Sequence, residues 1–341
     1  MKMLLVTDSW APLVNGVVRT LSRVVDGLRD RGHDVLVVSQ AGFTTVPCPT
    51  EPEIRLALFA RRKLERTFDA FAPDALHIAT EGPLGFAARS LAKRRAMPFT
   101  TSYHTKFPEY LAERTGIPRQ LTAIAQRWFH RASQRVLVPT ESLRHELIAE
   151  GWTNTIAWTR GVDVELFRPR MSVLDLPRPL HLSVGRVAVE KNLTAFLELD
   201  LPGSQVIVGD GPQHASLVAR FPHAHFLGRL EGEALARVFA SADVFVFPSR
   251  TDTFGLVLLE ALASGLPVAA FPVTGPLDLI DDGCTGALDE DLALAIARAR
   301  QCSRSAARQQ ALRFSWERCV DLFEAALAVR TAPRATPSAR V

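Results

Sequence analysis

Short, continuously apolar runs alternate along the chain with longer segments in which apolar residues recur every three or four positions. The first two runs, Lys2–Thr7 and Asp34–Val38, predict buried strands. Further strands are predicted at Ala75–Thr80, Phe99–Tyr103, Arg135–Pro139, Leu180–Val184, Gln205–Val208, His225–Leu227, Val244–Phe247 and Val268–Phe271. Helical spacing marks Val17, Leu21, Val24 and Leu28, and again the stretch from Leu84 to Arg94. Apolar strands divided by amphipathic helices are typical of parallel sheets covered on both faces.

The alternation occurs twice, with prolines at 169, 177 and 179 between the two halves. A chain of 341 residues fits two domains of about 150 residues each. We therefore predict an α/β fold of two Rossmann-like, doubly wound parallel-sheet domains facing across a cleft. The predicted divisions are an N-terminal domain at 1–168, a C-terminal domain at 169–313, a helix at 314–330 packing back toward the N-terminal domain, and a flexible tail at 331–341.

Composition excludes several classes of protein. Hydrophobic residues make up 47% and charged residues 22% of the chain, which rules out a disordered or fibrous protein. No run approaches the roughly 18 apolar residues of a membrane span, and the N-terminal apolar run is too short for a signal peptide. The four cysteines show neither C-x-x-C pairing nor zinc spacing. We therefore expect a cytoplasmic protein without a disulfide framework or structural metal.

Charge is distributed unevenly. Residues 1–170 hold 24 Lys and Arg against 17 Asp and Glu, whereas residues 171–341 hold 16 against 19. This imbalance favours an anionic partner for the first half. An alternative is that the arginines only decorate solvated faces. We expect no nucleic acid among the partners.

Two loops in the first half carry candidate chemistry. Asn15-Gly16 precedes a helix whose free amides suit an anion, although an ordinary strand-to-helix turn is the alternative. The loop lacks G-x-G-x-x-G, so a nicotinamide dinucleotide is not predicted. His104 follows a strand beside hydroxyls and Lys106, where it could bind substrate or shuttle a proton, although most lone histidines do neither.

A third loop, Gly185–Asn192, again lies between a strand and a helix. Arg186 and Lys191 can converge on a diphosphate, the first as a planar fork and the second as a point charge. Each such charge-assisted bond contributes roughly 1.5–3 kcal/mol. The alternative is a pair of ordinary surface cations.

The fourth loop leads from Phe247 into a helix. Asp252 and Glu260 are eight residues apart, which places them about 80° from each other around a helix. Thr253, Phe254 and Gly255 would present free amides at the helix N-terminus. A carboxylate inside an otherwise apolar helix is costly unless it meets a polar ligand or partner. The alternative is that Asp252 caps the helix and Glu260 forms a salt bridge.

Five motifs occur in a characteristic order. They are Asn15-Gly16-Val17, Gly161-Val162-Asp163 with Phe167 and Pro169, Gly185-Arg186 with Lys191-Asn192, Gly209-Asp210-Gly211-Pro212, and Asp252 with Glu260. In this order they resemble the GT-B glycosyltransferases of family 4, which use nucleotide sugars and retain the anomeric configuration. The segments Glu81–Gly85 and Ser102–Thr105 are shared with the bacterial branch of α-mannosyltransferases and sulfoquinovosyl- or glucosyl-lipid synthases. Many members carry Glu at position 252 and Gly at position 15.

The resemblance implies a role for each motif. Arg186 and Lys191 would hold the donor diphosphate, Glu260 the ribose, and Asp252 the transferred sugar, with His104 at the reacting centre. The implied catalytic residues are His104, Asp252, Arg186 and Lys191. The implied donor-binding residues are Gly16, Arg186, Lys191, Gly228, Arg229, Leu230, Asp252, Thr253, Phe254, Gly255 and Glu260, of which Gly16 would approach the phosphate from the opposite domain and Gly228-Arg229-Leu230 would flank the base.

The implied activity is retaining, metal-independent transfer of a hexose from GDP-mannose or a UDP-hexose to a lipid or glycan. No cofactor is expected, because Asp289-Glu290-Asp291 fits the first turn of a helix better than a metal site. The alternatives are a nucleotide-sugar epimerase or a phosphorylase on the same fold, and an inactive nucleotide-sugar-binding module.

Residues 119–135 predict an amphipathic helix. Its apolar stripe is formed by Leu121, Ile124, Ala125, Trp128 and Ala132. Arg127, Arg131 and Arg135 lie beside this stripe, and Arg119 stands at the start of the segment. Such a helix suits an anionic membrane surface, and we expect Arg119, Arg127, Trp128 and Arg131 to meet a lipid or lipid-linked glycan acceptor at the inner face of the cytoplasmic membrane. The alternative is that the stripe packs on the sheet.

Overall fold

A computed structural model describes residues 1–13, 15–48 and 51–330 of the chain. The expected flexible tail at 331–341 lies outside the described residues.

The strands follow closely the apolar runs of the sequence. They are β1 Lys2–Val6, β2 Asp34–Val38, β3 Thr45–Cys48, β4 Glu51–Ala57, β5 Ala75–Ile78, β6 Thr100–Ser102, β7 Arg135–Val138, β8 Thr155–Ala157, β9 Leu180–Val184, β10 Ser204–Val208, β11 His225–Phe226, β12 Val244–Phe247, β13 Val268–Ala270 and β14 Gly286–Leu288.

Helices connect most of these strands. They are α1 Gly16–Asp30, α2 Ala60–Phe71, α3 Pro83–Arg94, α4 Phe107–Thr115, α5 Arg119–His130, α6 Glu141–Ala149, α7 Leu193–Leu197, α8 His214–Arg220, α9 Gly232–Ser241, α10 Leu256–Ala263, α11 Pro276–Leu279, α12 Leu292–Ala299, α13 Arg304–Ala311 and α14 Trp316–Ala326.

The strands form two six-stranded sheets, in the orders β2-β1-β5-β6-β7-β8 and β11-β10-β9-β12-β13-β14. The strand pairings within both sheets are parallel, for example β1 with β5 and β9 with β12. This confirms the predicted class of two parallel α/β sheets. The first strand of each sheet in chain order lies inside it, with later strands added on either side, as in doubly wound folds.

Two compact units interleave along the chain. The first contains Met1–Tyr103, Ala125–Leu137 and the stretch from Phe323, and the second contains His104–Ile124 and Val138–Leu322. The domain boundaries expected near residues 168 and 313 stay predictions. Within the first unit, the end of α14 is held by Phe323, whose ring packs edge-on against His77 at 4.8 Å.

Helices cover both faces of the second sheet, as the packing of β10 shows. Val206 and Val208 join one hydrophobic cluster together with residues of α9 and α10. Ile207, which points the opposite way, joins another cluster with residues of α7 and α12. Burial on both faces explains why this strand is continuously apolar.

The pattern did not predict the antiparallel pair β3–β4, which is outside both large sheets. Pro47 interrupts the apolar alternation there, and the register shifts between Pro47 and Cys48. A strand broken in this way lacks the period-two signal on which the prediction depends.

Candidate functional site in the second unit

The loops that follow β9 and β10 pack backbone against backbone. A Cβ on Gly209 would lie 1.8 Å from the carbonyl oxygen of Gly185, and one on Gly211 would lie 2.5 Å from that of Val187. The amide of Val187 donates a hydrogen bond to the carbonyl of Asp210 at 2.9 Å. Only glycine fits at positions 209 and 211, and this packing fixes the course of the loop that carries Arg186.

A small cavity, partly open to solvent, lies at this edge of the sheet. Gly185, Arg186 and Lys191 line it, together with Ser249 from the loop after β12. The structure therefore brings both predicted diphosphate-binding cations to one cavity, at the carboxyl ends of the strands where parallel sheets bind ligands.

Lys191 and Asp252 form an ion pair beside this cavity. The Lys191 Nζ atom lies 2.7 Å from Asp252 Oδ1 and 2.8 Å from Oδ2. Their side chains are 25% and 22% exposed, respectively. The sequence analysis gave these two residues separate partners, the diphosphate and the sugar. In this structure each is the partner of the other, so a bound donor must share or replace this contact.

The loop that carries Lys191 is fastened to the loop after β12. Asn192, in the left-handed region at φ 51°, donates from Nδ2 to the carbonyl oxygen of Pro248 at 3.1 Å. Ser249 Oγ donates to the carbonyl oxygen of Glu190 at 3.0 Å. The two hydrogen bonds hold Lys191 within reach of Asp252.

Helix α10 starts at Leu256, and the residue before it, Gly255, has a positive φ of 82°. No side-chain cap is found at this helix start among the described residues, so the alternative of Asp252 as the helix cap is wrong. Glu260 is only 4% exposed, although the rest of this helix is apolar. The α10 amides and the Glu260 carboxylate therefore belong to the same short helix, which follows the loop that carries Ser249 and Asp252.

The loop after β6 reaches the same region of the second unit. Thr253 Oγ1 donates to the carbonyl oxygen of His104 at 2.7 Å. The His104 ring packs edge-on against Trp158, with ring centroids 5.9 Å apart. The predicted residue His104 therefore lies beside the loop that carries Asp252.

Comparison with known proteins decides the family. Residues 14–166 match the family described as Glycosyltransferase Family 4, and residues 178–302 match Glycosyl transferases group 1. A GDP-mannose-dependent alpha-mannosyltransferase of Mycobacterium tuberculosis is 35% identical over 92% of this chain and 92% of its own length. The chain belongs to glycosyltransferase family 4. The resemblance drawn from the motifs is confirmed.

Two further proteins extend the comparison. A sulfoquinovosyl transferase of Arabidopsis thaliana is 34% identical over 81% of this chain, which spans 61% of that protein's length. The sucrose-phosphate synthase of Thermosynechococcus elongatus has a similar structure, with a TM-score of 0.78, 21% identity and coverage of 95% of this chain and 97% of that chain. The fold is therefore GT-B.

One polar group of this glycosyltransferase, Arg160, was not predicted from the motifs, and another, Lys106, was noted only as a neighbour of His104. Arg160 is only 4% exposed and lies 3.9 Å from the ring centroid of Trp158 and 5.9 Å from that of Phe254. Desolvation lowers its pKa to about 10. Lys106 Nζ contacts Glu146 Oε2 at 2.7 Å. The only signal for Arg160 in the sequence is its place directly before the Gly161-Val162-Asp163 motif.

The three residues expected to flank the base, Gly228, Arg229 and Leu230, differ in their contacts and exposure. The carbonyl of Gly228 accepts a hydrogen bond from the Gly209 amide at 2.8 Å, which joins it to the glycine-packed loops. Arg229 is 57% exposed and is paired with Glu231. Leu230 packs against the core of the second unit. Their contacts with a base stay a prediction.

Gly16 is the first residue of α1, in the first unit. The preceding residue caps this helix, since Asn15 Oδ1 accepts a hydrogen bond from the Val18 amide at 2.9 Å. The approach of Gly16 to the donor phosphate stays a prediction.

The apolar stripe predicted on α5 faces outward. Leu121, Ile124 and Trp128 are 62%, 67% and 55% exposed, so the alternative that the stripe packs on the sheet is wrong for these three residues. Ala132, at the end of the stripe, does pack against the core of the first unit. Arg127 and Arg131 are exposed beside it. The buried face consists instead of Gln126, Phe129 and His130. Arg119 forms ion pairs with Glu109 and Glu150.

Among the described residues, no group of three His, Cys, Asp or Glu side chains is placed to hold a metal ion. None of the helices in this part of the chain is long and apolar enough to cross a membrane. The acidic run Asp289-Glu290-Asp291, expected in the first turn of a helix, lies just before α12 instead, because Asp291 is the N-cap and its Oδ1 accepts hydrogen bonds from the amides of Ala293 and Leu294.

Proposed function

We propose that this glycosyltransferase moves a hexose from a nucleoside-diphosphate sugar to a lipid or lipid-linked glycan, with retention of configuration and without a metal. GDP-mannose is the first candidate donor, because the Mycobacterium tuberculosis relative is a GDP-mannose-dependent alpha-mannosyltransferase with 35% identity. A UDP-hexose is the second.

The observation that carries the proposal is the cavity that Arg186 and Lys191 share. When the bond between the sugar and the diphosphate breaks, negative charge develops on the departing phosphate. Two preorganised cations and the free amides of a helix N-terminus stabilise such charge. Because these groups belong to the protein, the site can act on a diphosphate without a metal.

The remaining site residues fit the parts of such a donor. Glu260, buried in α10, suits the ribose hydroxyls, since a carboxylate can accept two hydrogen bonds from a diol. Asp252 suits a hydroxyl of the transferred sugar. His104 would contact the sugar at the reacting centre, where its backbone is already hydrogen-bonded to Thr253.

The test is a screen of GDP- and UDP-sugars with dioctanoylglycerol, phosphatidylinositol and octyl mannoside as acceptors. We expect nucleoside diphosphate to be released only with an acceptor present, at an unchanged rate in EDTA, and the product to keep the anomeric configuration by NMR. An altered free sugar nucleotide would indicate an epimerase, dependence on inorganic phosphate a phosphorylase, and binding without turnover an inactive module. Loss of activity in EDTA with recovery in magnesium would contradict the metal-independent proposal.

The exposed stripe of α5 supports a membrane partner. An apolar surface flanked by Arg127 and Arg131 suits the inner face of the cytoplasmic membrane, where each well-placed cation contributes about 1 kcal/mol. Co-sedimentation with anionic vesicles should weaken with salt and in the variant with Arg127→Glu and Arg131→Glu. Arg313→Glu, an exposed control elsewhere, should bind as wild type. Equal, negligible binding of the wild type to neutral and anionic vesicles would favour an acceptor free in solution.

A further inference from the structure

The segment Glu81–Gly85, which the donor site does not use, is built into the edge of the first sheet. Asp8, directly after β1, accepts hydrogen bonds from the amides of Leu84 at 2.9 Å and Gly85 at 3.2 Å, at the start of α3. A Cβ on Gly82 would lie 2.3 Å from the Asp8 carboxyl carbon. This close packing fixes the turn, and therefore the position of Glu81.

The Glu81 side chain is held through only one of its two oxygens. Oε1 accepts hydrogen bonds from His130 Nε2 at 2.9 Å and from Gln126 Nε2 at 3.0 Å. His130 is fully buried, and its Nδ1 lies 2.8 Å from Thr101 Oγ1. His130 and Gln126 thus fix the orientation of the carboxylate.

The second oxygen is open to a ligand. Within the described part of the chain, Oε2 of Glu81 accepts no hydrogen bond, and it is not among the fully buried polar atoms that lack a partner. The side chain as a whole is only 10% exposed. A carboxylate held in this way keeps unused acceptor sites on one accessible oxygen.

A second unused acceptor belongs to the loop after β2 in the same sheet. Gln40 is 7% exposed and donates from Nε2 to the carbonyl of Trp10 at 3.2 Å. Its Oε1 is buried and makes no hydrogen bond with any described residue. This edge of the sheet therefore presents oxygens that need donors. A hydroxyl supplies a donor, whereas a phosphate does not and would be repelled by Asp8 and Glu81.

We propose that Glu81 is an acceptor-binding residue, whose Oε2 accepts a hydrogen bond from a neutral hydroxyl of the acceptor, and that His130 and Gln126 are its positioning residues. The inference rests on the proposed glycosyl transfer. Three points support it. The carboxyl edge of a parallel sheet is where ligands bind. The predicted donor-binding residues lie in the second unit, apart from Gly16. A buried carboxylate–histidine pair is by itself weak evidence for a stabilising role.

The test compares Glu81→Gln with Glu65→Gln, a matched change on the outer face of α2 in the same unit, where Glu65 contacts Arg94 and Arg95. Glutamine keeps the carbonyl that His130 and Gln126 require and removes the charge at Oε2. The acceptor is whichever of dioctanoylglycerol, phosphatidylinositol and octyl mannoside the wild type uses fastest. Glu81→Gln should raise the KM for that acceptor about tenfold or more. Its donor KM and Tm should match those of Glu65→Gln.

An unchanged acceptor KM in Glu81→Gln would overturn the inference. So would a lower Tm accompanied by equal losses toward donor and acceptor, because that pattern marks a structural role. A wild-type enzyme that turns over none of these acceptors would instead overturn the proposed function.

Discussion

The loops after the strands of the second sheet carry cations and closely packed glycines, whereas those of the first sheet carry carboxylates, one of which is paired with a buried histidine. Arg186 and Lys191 line a cavity in the second unit. Asp8 and Glu81 stand at the corresponding edge of the first sheet. One architecture therefore provides an edge that suits a diphosphate and another that suits hydroxyl groups.

The net charges of the two halves would instead suggest a phosphate site in the first half. The first half of the chain carries the positive excess, yet its arginines at 61, 62, 127 and 131 are exposed on helix surfaces rather than at the sheet edge. The second half is net negative but holds the predicted phosphate-binding cations. The charge of a region therefore describes its outer surface, and only the groups at the strand ends describe its site.

The largest effect is expected at the cationic edge. Arg186→Ala and Lys191→Ala should each lower transfer by about 10²–10³-fold, because a preorganised group on the departing diphosphate is lost. Steady-state turnover measures this, with Arg237→Ala, an exposed arginine on α9 paired with Glu233, as the control. Wild-type turnover in either site variant would remove the basis for the diphosphate site.

The next largest effect is expected on stability, when a closely packed glycine is replaced. Gly209→Ala should lower the free energy of unfolding by about 3 kcal/mol, because its Cβ would meet the Gly185 carbonyl at 1.8 Å in a positive-φ backbone. Gly232→Ala, also at positive φ but with open space around it, should cost about 1 kcal/mol. Denaturant unfolding distinguishes the two, and equal losses would mean that the loops do not require their close approach.

The stability of the first sheet should fall more steeply in acid than that of the second. The cause is His77, which is buried between Thr100 and Ser102. Desolvation, assisted by His130, lowers the pKa of His77 to about 3. The unfolded chain then binds more protons below about pH 6.5, so this stability is present above that pH and is lost as the pH falls. Between pH 6.5 and 5.5 the loss should be about 1 kcal/mol. In His77→Gln the free energy of unfolding should depend less steeply on pH over this range. An unchanged pH dependence would show that His77 is not its cause.

The smallest effect concerns the ion pair in the second unit. Asp252→Asn leaves Lys191 without its neutralising partner, so nucleoside diphosphate alone should bind about threefold more tightly. Transfer from the sugar nucleotide should fall at the same time, because the proposed sugar contact is lost. Calorimetric titration and turnover together check this, and weaker nucleotide binding would show that Asp252 does not compete for Lys191.

The sequence predicted the strands well where both faces of a strand are buried. Leu180–Val184 and Val244–Phe247 agree residue for residue with the structure. The pair β3–β4 was missed, because its alternation is broken by proline. The three-residue edge strands β8 and β14 were missed as well. Periodicity depends on uniform burial and on length, so it fails in short edge strands and outside the main sheets.

The residues of the candidate site could be predicted from the sequence, but the contacts between them could not. Spacing and motif order identified Arg186, Lys191 and Asp252, and the structure brings them together. The Lys191–Asp252 pair has no signal in the sequence, because it joins loops 61 positions apart. Nor did any local pattern connect Glu81 with His130, which lies 49 positions away.

Nucleotide affinity tests the contrast between the two sheets most directly. Titration calorimetry measures the affinity for GDP and UDP of the wild type, Glu260→Gln and Glu81→Gln, and so compares the two carboxylates in one experiment. We expect Glu260→Gln to weaken binding of the preferred nucleotide about tenfold, because a charge-assisted bond to the ribose is lost. Glu81→Gln should bind it as tightly as the wild type. Equal affinity in Glu260→Gln and the wild type, or a loss in Glu81→Gln, would contradict the assignment of the donor to the second sheet.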